Sequence, residues 1–394
     1  MAANLSSASS NTSVSLPVES SSARNSLPPL SHPLEGNYKI EDRRQSEHAC
    51  LLFARHKKTN ESIVIKILIE YKDARYSLAT IDERQQCQLE ALRWNRTFTP
   101  KVYIGLAHIC DLDLHQGKMA IDEIIENPVQ DMLDADTEYV LLMRQLPDSR
   151  RLDHVLIEED NSSLQPYLRL LTKFIVHLHT NLAESILSLE ESRYWGSTEL
   201  LQQKLLHNLA FLHQLLETGG NEEYKSFSWL KDNLLQVFLR LQRQGCFEQR
   251  VRERRIKRCH ADLKAPNIWI APCIPDSYWC NKEPEKYVFL LDAIDFNPMY
   301  SNIDILSDFA MLVIDVHART KNLSFVNFMI ENYLRLSEQQ DEVCKLVLTY
   351  YLIEKAIVGA AVSILYDSMP DLGLAFLEVA EIHMNDLKHR ISNE

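Results

Sequence analysis

The pattern of apolar and polar positions divides the chain into a strand-rich first part and a helix-rich second part. Continuous or alternating apolar runs with many β-branched residues predict strands at 48–55, 62–69 and 138–147, the first two separated by a polar turn. Apolar residues at helical spacing predict one helix between these strands and a series of helices after them, at 78–98, 164–190, 197–244, 303–319, 322–336, 338–368 and 371–391. Separate runs of strands and helices are typical of α+β proteins.

Residues 1–35 are rich in Ser, Asn and Pro and carry few large apolar side chains. Such a segment cannot bury enough surface to offset the entropy of ordering, so we expect a disordered tail. It lacks the apolar core of a secretory signal. The remaining length suggests about two lobes.

The charge and the apolar runs exclude some classes of partner. A net charge of −13 argues against nucleic acid, which binds to basic faces, and is compatible with a cationic substrate. The longest uninterrupted apolar run, 357–365, is shorter than the ~20 residues of a membrane span. The eight cysteines form no C-x-x-C pair, and Cys259, His260, Cys273 and Cys280 have the wrong spacing for a zinc site, which favours free thiols in a reducing cytoplasm.

The chemistry of the chain is concentrated between residues 258 and 296. Asp262 follows His260 by two residues and precedes Asn267 by five, which is the spacing of a phosphoryl-transfer catalytic loop. The apolar runs 268–270 and 287–291 predict a hairpin, with 271–286 as its loop, that brings Asn267 next to Asp292. In this arrangement Asp262 accepts the proton of a hydroxyl, and Asn267 and Asp292 supply oxygen ligands to Mg²⁺. Asp295 is the alternative metal ligand.

Lys66 lies inside an apolar, β-branched run. A lysine in such a run is costly unless its ammonium group meets an anion or reaches water at a sheet edge. A second basic feature, the run 250–258, is interpreted as a solvated face or as a patch that attracts nucleotide phosphates. His179 is interpreted as a packed core histidine.

The segment His260-Ala-Asp-Leu-Lys-Ala-Pro-Asn267 resembles the catalytic loop of the protein-kinase-like superfamily. The acids Asp304 and Asp308 downstream of Asp292 resemble its small-molecule branch, the aminoglycoside and choline phosphotransferases. Further matches, which resemble a bacterial subgroup often fused to a P-loop ATPase, lie at Tyr76-Ser-Leu, Arg84, Cys87, Glu90, Asn95-Arg96, 100–105, 143–147 and Leu152-Asp153. The resemblance covers about 45–320, and no G-x-x-x-x-G-K-[ST] segment is present.

This resemblance implies a two-lobed α+β fold, with an N-lobe at 36–143 and a C-lobe at 144–394 that contains the catalytic loop 258–267 and the metal-binding segment 288–296. ATP would lie between the lobes. Lys66 would hold its phosphates and pair with Glu90, or with Glu83, on the next helix. The turn at Ser46 would cover the phosphates, backbone groups from Met143 to Gln145 would bind the adenine, and Lys264 would contact the γ-phosphate. Asp304 or Asp308 would anchor the catalytic loop.

The expected function is ATP- and Mg²⁺-dependent phosphorylation of a hydroxyl on a small molecule such as an aminoglycoside, choline or a sugar, in the cytoplasm and without a nucleic-acid or membrane partner. A protein Ser/Thr kinase is an alternative, because Asp-Leu-Lys-x-x-Asn is a protein-kinase spelling. A pseudokinase is another, because the chain has nine glycines and no G-x-G-x-x-G. A helical scaffold with a coincidental motif is a third. The acceptor and the oligomeric state stay open.

Overall fold

A computed structural model describes residues 30, 33–72, 77–158, 161–182, 185–217, 222–270, 288–365 and 369–392. Most of the predicted tail 1–35, the predicted loop 271–286 and Cys273 and Cys280 lie outside the described residues.

Six antiparallel strands in the first part of the described chain close into a barrel in the order β1-β2-β3-β6-β4-β5. They are β1 (Gly36–Gln45), β2 (Ala49–His56), β3 (Ser62–Leu68), β4 (Tyr103–Asp113), β5 (Lys118–Ile125) and β6 (Tyr139–Arg144). The predicted strands correspond to β2, β3 and β6. We predicted neither β4 nor β5, because the second half of β4 is polar and exposed and breaks the apolar pattern.

Helix α1 (Ile81–Phe98) packs against this barrel, as the sequence predicted. Thr80 and Glu83 form a capping box at its start, which satisfies backbone N–H groups that have no partner inside the helix. The face of α1 that points inward carries the apolar residues Ala91, Leu92 and Phe98 together with the buried polar residues Gln85, Gln88 and Asn95. Buried polar side chains need hydrogen-bond partners. The Asn95 side chain donates to Ala91 O within α1 and accepts from Ala293 N, which follows the strand Val288–Leu290.

The second part of the chain is helical and packs around α9 (Ile305–Thr320), of which fourteen residues are buried. The other helices are α2 (Leu152–Glu158), α3 (Asn161–Asn181), α4 (Leu189–Trp195), α5 (Thr198–Glu217), α6 (Glu222–Arg243), α7 (Cys246–Arg252), α8 (Pro298–Ser301), α10 (Leu323–Leu336), α11 (Glu342–Leu365) and α12 (Pro370–Ser392). Two short antiparallel strand pairs lie within this part: β7 (Ile256–Arg258) with β10 (Asn302–Asp304), and β8 (Ile268–Ile270) with β9 (Val288–Leu290). The predicted α+β, two-lobed fold is confirmed.

Helix α11 is long and apolar enough to cross a membrane by length and composition. The prediction concerned apolar runs in the sequence, and Glu354 and Lys355 interrupt the run within α11 without interrupting the helix. Most of its apolar window, 78%, is buried inside the protein, against α9 and α12.

The basic run 250–258 is only partly a solvated face: Arg252 and Arg254 are exposed, whereas Arg250 and Arg258 are buried. The Arg250 side chain is almost completely buried, and its Nε and Nη2 atoms each donate to a different Asp304 oxygen at 2.8 Å. Arg258 is also buried, with its guanidinium 4.2 Å from the centre of the Trp94 ring. These arginines join α7 to α9 and β7 to α1, so their charges are used inside the protein.

Candidate active site

The catalytic loop follows β7 and is held from below by two acids of α9. Asp308 Oδ1 accepts a hydrogen bond from Ala261 N at 2.7 Å, and Asp315 Oδ2 accepts one from Ala265 N at 2.6 Å. Ala261 has a left-handed φ of 69°, a conformation that costs energy for a residue with a Cβ. Of the two predicted anchors, Asp308 therefore has this role, and Asp304 instead caps α9.

Asp308 is itself held in place by a buried histidine. Its Oδ2 lies 3.0 Å from His179 Nε2, and His179 Nδ1 lies 2.7 Å from the hydroxyl of Tyr333. This network confirms the interpretation of His179 as a core residue. Cys259 lies within reach of the same atoms, and burial raises the pKa of its thiol.

Asp262 and Asn267 are in direct contact at the mouth of the loop. Asn267 Nδ2 donates to the Asp262 carboxylate at 2.7 Å and to its backbone oxygen at 3.1 Å. The Lys264 ammonium lies 3.4 Å from the same carboxylate. Because the amide nitrogen of Asn267 is used in these contacts, its Oδ1 is the atom left to bind a cation.

The β8–β9 pair brings Asp292 to this loop, as the sequence predicted. Leu291 N donates to Asn267 O at 2.9 Å. The Asp292 carboxylate projects into the cleft and meets Lys66 Nζ at 3.4 Å. Lys66 holds the pKa of Asp292 below its usual range, and Asp292 in turn raises the pKa of Lys66, so both groups are charged.

Asp295 lies close enough to interact electrostatically with Lys66 and Asp292. Burial raises the pKa of Asp295 to about 6, and the neighbouring Asp292 charge acts in the same direction. Two carboxylates therefore lie near Lys66, and that of Asp292 lines the cleft. Their oxygen atoms, together with Asn267 Oδ1, match the oxygen ligands that Mg²⁺ prefers.

The predicted partner of Lys66 on α1 is wrong. Among the residues that the structure describes, neither Glu83 nor Glu90 pairs with Lys66: Glu83 caps α1, and Glu90 accepts from Trp94 Nε1 at 3.0 Å. Within α1, Lys66 interacts electrostatically with Cys87, whose pKa burial raises to about 12. A neutral thiol cannot replace a carboxylate, so the charge partner of Lys66 is Asp292.

The cleft between the lobes has a volume of about 410 Å³. Its walls include the apolar residues Phe53, Val64, Leu141, Met143 and Trp269. Apolar walls around one charged end suit a flat aromatic group attached to a charged one.

Ser46 and Gln145 also line this cleft. However, the Ser46 hydroxyl and the backbone N–H of Gln145, which the resemblance assigned to nucleotide binding, already form hydrogen bonds within the protein. The Ser46 hydroxyl bonds Ala49 N and Ala49 O, both at 3.2 Å, and so stabilises its own turn. The backbone N–H groups of Arg144 and Gln145 donate to Val102 O and Ser62 O. Those two N–H groups are therefore not available for a base unless these bonds break.

Sequence reasoning missed four residues that hold the site. Asp315 carried one signal, the i,i+4 spacing to Arg319, with which it pairs at 3.0 Å. Asn95 and Tyr103 lie in segments that the resemblance matched, but no role was assigned to them, and Thr99 carried no signal. All three side chains form hydrogen bonds with the backbone of 290–293.

No family model and no curated protein matches this chain. Solved structures are similar to it over most of its length. An ethanolamine kinase from Plasmodium vivax has 13% identity and a TM-score of 0.44, covering 87% of this chain and 81% of that one. An aminoglycoside 2′-phosphotransferase in complex with GDP has 10% identity and a TM-score of 0.45, covering 88% and 93%. An aminoglycoside phosphotransferase in a ternary complex with streptomycin and ATP has 14% identity and a TM-score of 0.38, covering 86% and 91%.

With identities of 14% or less and TM-scores of 0.45 or less, these likenesses carry no argument about the activity of this chain. The structure itself shows a barrel of strands followed by a helical part, with Lys66, Asn267 and Asp292 lining the cleft between them.

Proposed function

We propose that the protein is an ATP- and Mg²⁺-dependent phosphotransferase that acts on a hydroxyl group of a small molecule. The observation that carries this proposal is the meeting of Lys66, Asp262, Asn267 and Asp292 at one end of the cleft. These residues come from β3, the catalytic loop and the end of β9, and they provide one cation, two carboxylates and one amide oxygen. Transfer of a phosphoryl group requires positioning and charge neutralisation more than covalent catalysis, and these groups supply both.

A nucleotide and a magnesium ion fit the residues present. The apolar walls would take the base, and the Lys66 ammonium would bind phosphate oxygens with charge-assisted hydrogen bonds. Asp292 and Asn267 Oδ1 would hold the metal, with Asp295 as the alternative carboxylate. When bound, Mg²⁺ neutralises charge on the phosphate oxygens.

Asp262 is the group we assign to the acceptor. Its carboxylate is about a quarter exposed and contacts Asn267 and Lys264, so it would accept a hydrogen bond from the incoming hydroxyl and take its proton. Lys264 places a positive charge beside this carboxylate, where it would also attract the terminal phosphate. This assignment makes Asp262 and Lys264 the catalytic residues.

The short connection after Asp292 favours a small acceptor over a protein. Residues 293–304 alone link Asp292 to α9, and most of them belong to α8 or to β10, which pairs with β7. A peptide-docking activation segment would need a longer exposed connection. Lys264 is the feature that supports the protein-kinase alternative, and its contact with Asp262 serves either acceptor equally well.

The test is a screen of purified protein with Mg²⁺ and ATP against metabolite pools, with phosphorylated products detected by mass. We expect new phosphate-bearing small molecules that are absent when Asp262→Ala protein is used in parallel. ATP binding without any product would support the pseudokinase alternative. Failure to bind any nucleotide would support the scaffold alternative and refute the proposal.

Substitution of the two cleft carboxylates separates their roles in metal binding. Asp292→Asn replaces an anionic ligand by a neutral one, and we expect the Mg²⁺ concentration at half-maximal activity to rise by about 10-fold or more. Asp295→Asn should have a smaller effect, because among the described residues it is Asp292 that lines the cleft and meets Lys66, whereas Asp295 is not part of the cleft lining. Titration of activity with Mg²⁺ measures both. A large effect of Asp295→Asn alone would move the metal ligand to Asp295.

A further inference from the structure

Three side chains of the small lobe bond the backbone on both sides of Asp292. Thr99 Oγ1 donates to Leu290 O at 2.7 Å and accepts from Leu290 N at 2.9 Å. Asn95 Oδ1 accepts from Ala293 N at 2.9 Å. Tyr103 Oη accepts from Asp292 N itself at 3.0 Å. All three side chains are buried, so these hydrogen bonds are shielded from competing water.

The segment they hold is strained. Asp292 has a φ of 60°, in the left-handed region that residues with a Cβ occupy at a cost. A conformation of this kind persists only where surrounding contacts determine it. The bond to Asp292 N and those to its neighbours on either side are such contacts, and they determine the direction in which the Asp292 carboxylate leaves the backbone.

Helix α1, which carries Asn95 and is capped by Thr99, is also fixed to β3, the strand that carries Lys66. Gln88 Nε2 donates to Lys66 O at 3.1 Å, and Arg96 Nε donates to Tyr103 O at 2.8 Å. One helix therefore holds β3, the start of β4 and the end of β9 together. The 3.4 Å contact between Lys66 and Asp292 spans two segments that α1 locates.

We propose that Asn95 on α1, Thr99 at the C-cap of α1 and Tyr103 at the start of β4 form a clamp that positions the metal ligand Asp292, in the place of a glutamate on α1 that would position Lys66. This inference rests on the proposed function, since it concerns the metal that the phosphotransferase would use. It makes α1 part of the metal site without direct contact with the metal, and the three residues are positioning residues.

Tyr103→Phe is the sharpest test because it removes only the hydroxyl that accepts from Asp292 N. We expect the Mg²⁺ concentration at half-saturation of nucleotide binding to rise about 10-fold, with nucleotide affinity in EDTA unchanged. Binding is followed by calorimetry. Tyr139→Phe is the matched control, because Tyr139 is equally buried and its hydroxyl also accepts a backbone N–H, that of Asp134, away from the cleft.

Thr99→Val should raise the Mg²⁺ concentration at half-saturation to the same extent. Thr99→Ser should keep the wild-type value, since serine keeps the hydroxyl. Thr172→Val controls for the loss of a buried hydroxyl, because Thr172 bonds Leu168 O inside α3. Amide hydrogen exchange without nucleotide or metal gives a second readout: the amides of 290–293 should exchange faster in Tyr103→Phe than in wild type or Tyr139→Phe.

The outcomes separate the clamp from the function. A wild-type response to Mg²⁺ that Tyr103→Phe and Thr99→Val leave unchanged would refute the clamp alone. A wild-type protein whose nucleotide affinity does not depend on Mg²⁺ would refute both the metal-dependent function and the clamp. Faster exchange together with the shifted Mg²⁺ dependence would support the clamp.

Discussion

Replacement of Asp262 by alanine should lower phosphoryl transfer by about 10²- to 10⁴-fold and leave nucleotide affinity within a small factor. The reason is that our proposal assigns Asp262 to the acceptor, whereas it assigns Lys66 and the apolar walls of the cleft to the nucleotide. Lys66→Ala, in contrast, should weaken nucleotide binding itself, because a charge-assisted contact with phosphate is lost. Product formation measured by mass and nucleotide binding measured by calorimetry separate these effects.

Two further variants make this result interpretable. Asp262→Asn keeps a side chain of the same size beside Asn267 and removes the charge, so it should lose activity without loss of folding. Asp122→Ala, an exposed acid that contacts His108 on the barrel surface, should retain wild-type activity. If Asp262→Asn transferred phosphate at the wild-type rate, Asp262 would not be the proton acceptor.

Asp304→Asn should destabilise the protein by about 3–5 kcal/mol, the cost of leaving a buried charge without its partner. Arg250 donates two hydrogen bonds of 2.8 Å to the Asp304 carboxylate, and both side chains are almost completely buried. Asparagine still caps α9, so the loss reports the ion pair rather than the cap. The free energy of unfolding in denaturant measures it. Since domains are stable by only ~5–15 kcal/mol, this single change removes a large share of the total.

Asp386→Asn is the matched control. Asp386 and Arg390 form a pair of similar length, 2.9 Å, but both side chains are about half exposed. Exposed pairs contribute about 0–1 kcal/mol because water screens them. If the two substitutions lowered the free energy of unfolding equally, burial would not make the Arg250–Asp304 ion pair more important for stability than an exposed pair.

The local parts of this fold could be predicted because they depend on neighbours in the sequence. The alternation of apolar residues predicted β2, β3 and β6, and helical spacing predicted α1, α3, α5, α6 and α9 to α12, but not the short helices α2, α4, α7 and α8. The predicted helix at 164–190 ends at Asn181 in the structure. The five-residue spacing of Asp262 and Asn267 places them on one loop, and the hairpin of β8 and β9 brings Asp292 beside it.

The choice of partner for each charged group was decided by tertiary structure alone. Lys66 pairs with Asp292, which is 226 positions away, rather than with an acid on the next helix. Asp308 reaches the catalytic loop across 47 positions, whereas the nearby Asp304 turns to Arg250. A pattern of residue types does not encode such distances, because several acids and bases satisfy it equally.

The sequence alone determined most of the elements and the spacing of the motif from His260 to Asn267, since short-range sterics and burial periodicity specify them. Only the packing of α1 and the start of β4 against residues 290–293 decided what Asn95, Thr99 and Tyr103 contribute to the site. The physical reason is that these polar side chains are buried, and a buried hydroxyl or amide must find a partner wherever the packed chain provides one. Here the fold provided the backbone on either side of Asp292.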